Sequence, residues 1–219
     1  MPREQLLNKL RHQLHVDADD KARLQSVNAR ISQHPNNTIP ARAQQPHSML
    51  VDLCVRQITI VHGTVARIDH LRSVPHAIAE FLEQQDVEIC LSPAVSDLGL
   101  SFEQEPGLKL VDWSPKTSLA VSVTTCFGAV AETGSLVICS SAQNPLSQSF
   151  LADQHIVLLR SADVVGSYED IWQKVRTLGG MPRDMTLVSG PSCTGDIEMI
   201  LEYGAHGPKA LHVIIIAET

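Results

Sequence analysis

The sequence predicts a three-layer α/β domain with a largely parallel central sheet and an N-terminal helical arm outside it. Three observations lead there. Residues 87–91 read as a short strand, 155–160 as a buried strand and 211–217 as a final apolar strand. Segments of helical period stand between such runs, at 73–82, 168–178 and 194–203. The chain has 219 residues, 43% of them hydrophobic and 19% charged, which is enough to bury one sizeable core. Aromatic residues are only 4%, so that core is aliphatic.

In chain order, residues 3–15 form a helix with Leu6, Leu7, Leu10 and Leu14 on one stripe. The polar stretch from Asp17 to Pro46, broken by Pro35-Asn36-Asn37 and Pro40, reads as a linker or an arm. The expected division is therefore 1–45 for the N-terminal helix and polar arm and 46–219 for the α/β domain. Residues 47–57 read as a helix with Leu50, Leu53 and Cys54 inward. Residues 58–68 suit a strand, or a strand and turn around Gly63. Ser73 caps a helix that tolerates Pro75 in its first turn and carries Ile78, Phe81 and Leu82. Three β-prone runs at 119–124, 127–131 and 135–140 read as adjacent strands, with tight turns at Gly128 and Thr133-Gly134. Residues 185–189 read as a further strand.

Charge and composition exclude several roles. The formal net charge is −7 and no basic run exists, so nucleic acid and anionic membranes are poor partners. A small anionic ligand stays compatible, since one local site suffices for it. No stretch approaches the roughly 18 apolar residues of a membrane span. The N-terminus lacks the apolar run of a signal peptide, which points to the cytoplasm. Cys54, Cys90, Cys126, Cys139 and Cys193 are widely spaced without a CxxC, so neither a zinc ribbon nor a four-cysteine cluster is signalled and no metal ligands are assigned. GxGxxG and GxxxxGK[ST] are also absent from the sequence.

Three segments could carry chemistry. The first runs from Thr186-Leu187-Val188 into Ser189-Gly190-Pro191-Ser192-Cys193-Thr194-Gly195-Asp196-Ile197-Glu198. A strand entering a helix capped by Ser192 or Thr194 is either an anion cradle of free N–H groups or plain capping, with Asp196 and Glu198 favouring the helix dipole. The second is Gly204-Ala205-His206-Gly207-Pro208, where Gly204 fits a helix C-cap. There His206 is either an acid–base group or an ordinary loop residue. The third is Ala131-Glu132-Thr133-Gly134 between two apolar strands. Its carboxylate is either a nucleophile or base or a polar hairpin residue. Since ligands of α/β proteins gather at strand ends and helix starts, Glu132, Thr133, Gly134, Gly190, Ser192, Thr194, His206 and Gly207 are expected around one pocket, with Glu132 in the catalytic role.

In order and spacing, Ala131-Glu132-Thr133-Gly134-Ser135-Leu136-Val137, Ser189 to Glu198 and His206-Gly207-Pro208 resemble the patterns AETGTLV, SGPSxTADIE and HGP of the lactate utilization protein C family, the small LUD-domain proteins. The resemblance covers roughly residues 47–219. Departures are Ser135 for Thr, Gly195 for Ala, and Cys193 where the family often has a basic or another small residue. It implies a fold similar to the ribose-5-phosphate isomerase, CoA-transferase and formyltetrahydrofolate cyclo-ligase group. It also implies a part in oxidising L-lactate to pyruvate with iron–sulfur partner proteins, which would hold the clusters while this chain carries no cofactor. The chain then reads as a non-redox subunit of an oxidoreductase system. The alternatives are a stand-alone enzyme of the CoA-transferase or cyclo-ligase type using Glu132, and a small-molecule-binding protein.

Overall fold

The computed structural model describes residues 2–17, 19–83, 86–114, 119–195 and 201–217. Met1–Thr38 and Ile39–Thr219 form two compact units. The first holds helix α1 (Arg3–Gln13) and helix α2 (Lys21–Gln33), and neither buries a residue. Where the sequence suggested only a polar linker, α2 is a correction. Asp20 caps it by accepting from the Arg23 N–H at 3.0 Å, and Leu24, Val27 and Ile31 repeat at helical spacing.

The second unit begins with α3 (His47–Ile60), β1 (Thr64–Ile68), α4 (Val74–Phe81), β2 (Val87–Leu91) and the single-turn α5 (Pro93–Ser96). Strands β3 (Leu108–Leu110), β4 (Leu119–Thr125), β5 (Gly128–Val130) and β6 (Ser135–Cys139) follow, then α6 (Leu146–Phe150), β7 (Ala152–Arg160) and β8 (Val164–Val165). The chain closes with α7 (Tyr168–Arg176), β9 (Met185–Val188), β10 (Cys193–Gly195), β11 (Leu201–Tyr203) and β12 (Ala210–Ile216). Helix α3 extends through Ile60, so residues 58–60 close a helix where a strand was expected. Thr59 Oγ1 donates to Val55 O at 2.9 Å, the backward bond of a helical threonine.

Six strands build the central sheet in the order β1-β12-β7-β4-β2-β3, and every pairing in it is parallel. Alternation divides its two faces. Ile156 and Leu158 of β7 and Ile214 and Ile216 of β12 pack with Val74, Ile78 and Leu82 of the α4 region. Val157, Leu159, Val213 and Ile215 point the other way, onto Leu50, Leu53, Cys54 and Ile58 of α3 and onto Ala129 and Leu136. The sheet is thus covered on both sides, the three-layer arrangement expected of parallel strands.

One cover is not purely helical. Strands β8-β5-β6-β9 form a second sheet, with α7 over its far face through Val130, Val137, Ile171 and Val175. This corrects the expectation that 119–124, 127–131 and 135–140 lie side by side, because β4 joins the large sheet whereas β5 and β6 form a hairpin in the small one. It also corrects β9, which pairs antiparallel with β6 and does not end a parallel strand. No helix among the described residues is long and apolar enough to cross a membrane.

Candidate functional site

The Ala131-Glu132-Thr133-Gly134 segment is the turn of the β5–β6 hairpin. Gly134 N–H donates to Val130 O at 2.8 Å, and Gly134 has φ +68°. Along its outer edge the turn stays paired, Ala131 N–H donating to Val165 O at 2.8 Å and Glu132 N–H to Gly166 O at 3.2 Å. Glu132 is 8% exposed, and its carboxylate has no hydrogen-bond or ion-pair partner among the described residues. Its oxygens are not among the fully buried unpartnered atoms, so the carboxylate keeps a path to solvent while the rest of the residue is buried, and it is free to meet a ligand at the turn.

Beside it stands a cluster of hydroxyls. Thr133 Oγ1, Ser135 Oγ and Tyr168 Oη are mutually hydrogen-bonded at 2.8, 3.0 and 2.9 Å, and Ser135 Oγ is bonded to Ser189 Oγ at 2.6 Å. Register explains the last link. Leu136 pairs with Val188, so Ser135 and Ser189 continue the β6–β9 ladder by one residue. Tyr168 opens α7, where Ser167 and Asp170 form a capping box: the Ser167 N–H donates to Asp170 Oδ2 at 2.8 Å and Ser167 Oγ accepts from the Asp170 N–H at 3.4 Å. Each hydroxyl can donate and accept, so the cluster can reorganise its protons around a polar ligand.

We expect Tyr168→Phe to lower unfolding free energy by about 1 kcal/mol. Ser135→Ala removes the centre of the cluster, a serine that is 1% exposed, and should cost more, about 2 kcal/mol. Urea midpoints at unchanged m-value measure both; equal losses would show that Ser135 is not the hub.

The Ser189–Gly195 segment departs from the expected helix start. Cys193–Gly195 and Leu201–Tyr203 are paired antiparallel strands, with Cys193 opposite Tyr203. Ser192 and Thr194 therefore cap no helix, and the anion cradle built on one is not formed. The expected first-turn acids Asp196 and Glu198 lie outside the described residues. Thr194 and Tyr203 are residue types that favour strands, and the Gly204 N–H donates to Ser192 O at 2.9 Å, closing the ribbon. Gly204 does adopt φ +88°, but it ends this ribbon rather than a helix.

Ser192 instead ties the second and third segments together. Its N–H donates to Pro208 O at 2.8 Å, and its Oγ accepts from the His206 N–H at 3.3 Å. Gly190, Ser192, His206 and Gly207 thereby line one open cleft of about 240 Å³ with Phe150 and Ser189. Gly190 has φ +84°, and a Cβ there would lie 2.5 Å from Val61 O. The residues singled out in the sequence thus fall into two sets. Thr133 stands with the hydroxyls beside Glu132, and Gly190, Ser192, His206 and Gly207 stand in the cleft; Ser189 belongs to both. Gly134 shapes the turn, while Thr194 lies exposed on β10. Sequence reasoning missed Ser135, Tyr168 and Ser189 as site residues. The S-x-x-D capping box was a readable signal for the start of α7, but nothing local points its tyrosine at Ser135. Among the described residues, no three His, Cys, Asp or Glu side chains converge as a metal site.

With the sheet, hairpin and turn in place, the chain is similar to a known class: residues 117–216 match the family model of the LUD domain. More particularly, it is similar to lactate utilization protein C of Deinococcus radiodurans, at 33% identity over 43% of this chain and 45% of that one. It is 30% identical to YkgG of Escherichia coli over 61% of this chain and 64% of that protein. To lactate utilization protein C of Halalkalibacterium halodurans it is 24% identical, over 76% and 79%. Matches to the first relatives span only 45% to 64% of their lengths. The fold is shared with a crystal structure of a DUF162 family protein from Deinococcus radiodurans, with a TM-score of 0.61 at 17% identity, covering 79% of this chain and 99% of that one.

Proposed function

We propose that the protein is a non-redox component of an L-lactate utilization system, acting in the cytoplasm with iron–sulfur partner proteins. One observation carries this reading: a match to the LUD-domain model, with relatives in six bacteria that bear the name lactate utilization protein C. Chemistry sets the division of labour. Oxidising a 2-hydroxy acid requires an electron acceptor, and side chains alone supply none. Cluster ligands are thiolates, whereas burial pushes the Cys54 and Cys126 thiols up to about 12 and holds them protonated. In this reading the clusters sit on the partners, and this chain positions substrate or holds the assembly together.

A second reading, a stand-alone enzyme using Glu132 as nucleophile or base, is favoured by the unpartnered carboxylate next in sequence to the hydroxyl cluster. One assay separates them. The purified full chain should be colourless and should not turn over L-lactate with an artificial electron acceptor. Activity should appear on adding the iron–sulfur proteins that co-purify with it from the source cell. Turnover by the chain alone, or a cluster or flavin spectrum, would place the redox chemistry here and overturn the first reading. In the second reading, Glu132→Gln would abolish a cofactor-free activity of the isolated chain.

A further inference from the structure

We propose that a cavity at the carboxyl ends of β12, β7 and β4, apart from the Glu132 turn and the Ser192 cleft, binds a short-chain monocarboxylate through Arg160 and Thr125. The register puts its parts together. Thr125 ends β4 opposite Leu158, and Arg160 ends β7 opposite Ile216. Alternation then points them to one face. Val121 and Val123, Ile156 and Leu158, and Ile214 and Ile216 all pack on the α4 side of the sheet, so Thr125 and Arg160, two residues on, share that side. Leu71, Leu98, Leu158 and Ile216 supply apolar walls to a small cavity of about 60 Å³, and it has no lining residue in common with the cleft at Ser192.

Its charge is set by what is paired and what is not. Asp163 also lines the cavity, but it is neutralised in an ion pair with Lys174, whose Nζ also donates to Phe127 O at 3.3 Å. Arg160 has no hydrogen-bond or ion-pair partner among the described residues, and neither has the Thr125 hydroxyl. Asn144 Nδ2 donates to Thr125 O at 2.8 Å and so fixes the end of β4. One uncompensated guanidinium, one free hydroxyl and aliphatic walls select an organic anion with one charged head and a small apolar body. A phosphate ester would call for several donors or cations, which this cavity does not offer. A carboxylate needs one guanidinium, and a hydroxyl or keto group beside it can meet Thr125. The location is also the general one for ligands of parallel α/β sheets.

The inference deepens the proposed role by naming a substrate class and rests on that reading only in its choice of probes. L-lactate, pyruvate and butyrate are titrated into the full-length protein and followed by calorimetry and amide chemical shifts, with methyl lactate and inorganic phosphate as controls. At least one of the three acids should bind saturably, with Kd near or below about 1 mM, and the uncharged ester should not. Arg160→Met keeps the aliphatic stem, and the residue is exposed, so folding should persist while affinity falls about tenfold or more. Thr125→Val should weaken hydroxy and keto acids more than butyrate. No saturable binding by any of the three acids, binding untouched by Arg160→Met, or equal binding of the ester would overturn the site. Growth of a deletion strain on L-lactate is read separately. Lost growth with no carboxylate binding defeats the site alone, and carboxylate binding with unimpaired growth defeats the proposed role alone.

Discussion

Replacing Gly134 by alanine is expected to lower the unfolding free energy by about 3 kcal/mol, the sum of two separable costs. The first is conformational. Gly134 sits at φ +68°, and a non-glycine residue there gives up about 1–2 kcal/mol. The second is steric. A Cβ at Gly134 would lie 2.7 Å from the Ile58 backbone nitrogen and 2.8 Å from Gln57 Cβ, so the turn cannot keep its seat on α3. Overpacking against backbone costs about 1–3 kcal/mol more. Gly179 supplies the control. Its φ is +72°, but an added Cβ meets nothing within 4 Å, so Gly179→Ala should lose only the conformational part. Chemical denaturation of both variants checks the difference. Equal losses would mean that the hairpin turn is not held against α3. Because domain stabilities are about 5–15 kcal/mol, the Gly134 variant should also show a clearly lower melting temperature.

Acid should destabilise the protein through two buried histidines. His155 is 1% exposed and is hydrogen-bonded through Nε2 to Thr124 Oγ1 at 2.8 Å. His212 is 5% exposed, bonded through Nδ1 to Thr64 Oγ1 at 2.8 Å, and stacked on Phe81 with centroids 3.8 Å apart. Its Nε2 is buried and has no partner among the described residues. Burial in these apolar surroundings pushes both rings from the usual 6.5 down to about 4. The unfolded chain therefore takes up protons at a higher pH than the folded one. Above pH 6.5 both states are neutral at these rings and stability is fully present. Between 6.5 and 4 the unfolded state alone is protonated, and stability falls as pH drops. Below about 4 the folded rings protonate too, and this contribution levels off. Each ring is worth about 3 kcal/mol across the window. Urea titrations at several pH values between 7 and 4 measure the slope. Comparison with a His155→Gln, His212→Gln double variant removes the part due to carboxylates. If wild type and double variant lose stability in parallel, the two rings do not carry the acid sensitivity.

Several features of this molecule were legible because their causes are local. Strands buried on both faces appear as near-continuous apolar runs, and so the cores of β7 and β12 could be read directly, as could the short β2 and the amphipathic α3, α4 and α7. The AETGS turn was legible because a tight reversal needs a residue such as Gly134 at positive φ. Less was legible where two local readings compete. At 193–195 and 201–203, Thr, Tyr and Leu stand beside a charged residue, and only pairing of Cys193 with Tyr203 decides for strand over helix there. In the 17–46 stretch, polar composition masked α2, although its Asp20 cap and its Leu24, Val27 and Ile31 spacing were present.

By itself the sequence determined the alternation of helices and strands, the aliphatic core, the position of the turn and the family resemblance, all written in neighbouring residues through period, capping and turn geometry. Tertiary structure alone decided that β4 enters the parallel sheet while the equally apolar β5 and β6 leave it to meet the two-residue β8. It alone brought Tyr168 and Ser189, 33 and 54 residues from Ser135, within hydrogen-bonding distance of that hydroxyl. Likewise it alone left Arg160 without a partner among the described residues, beside an Asp163 already taken by Lys174. The physical reason is range. A cap or a turn is settled within four residues, whereas a contact of about 3 Å across 50 residues depends on the packing of every element between them.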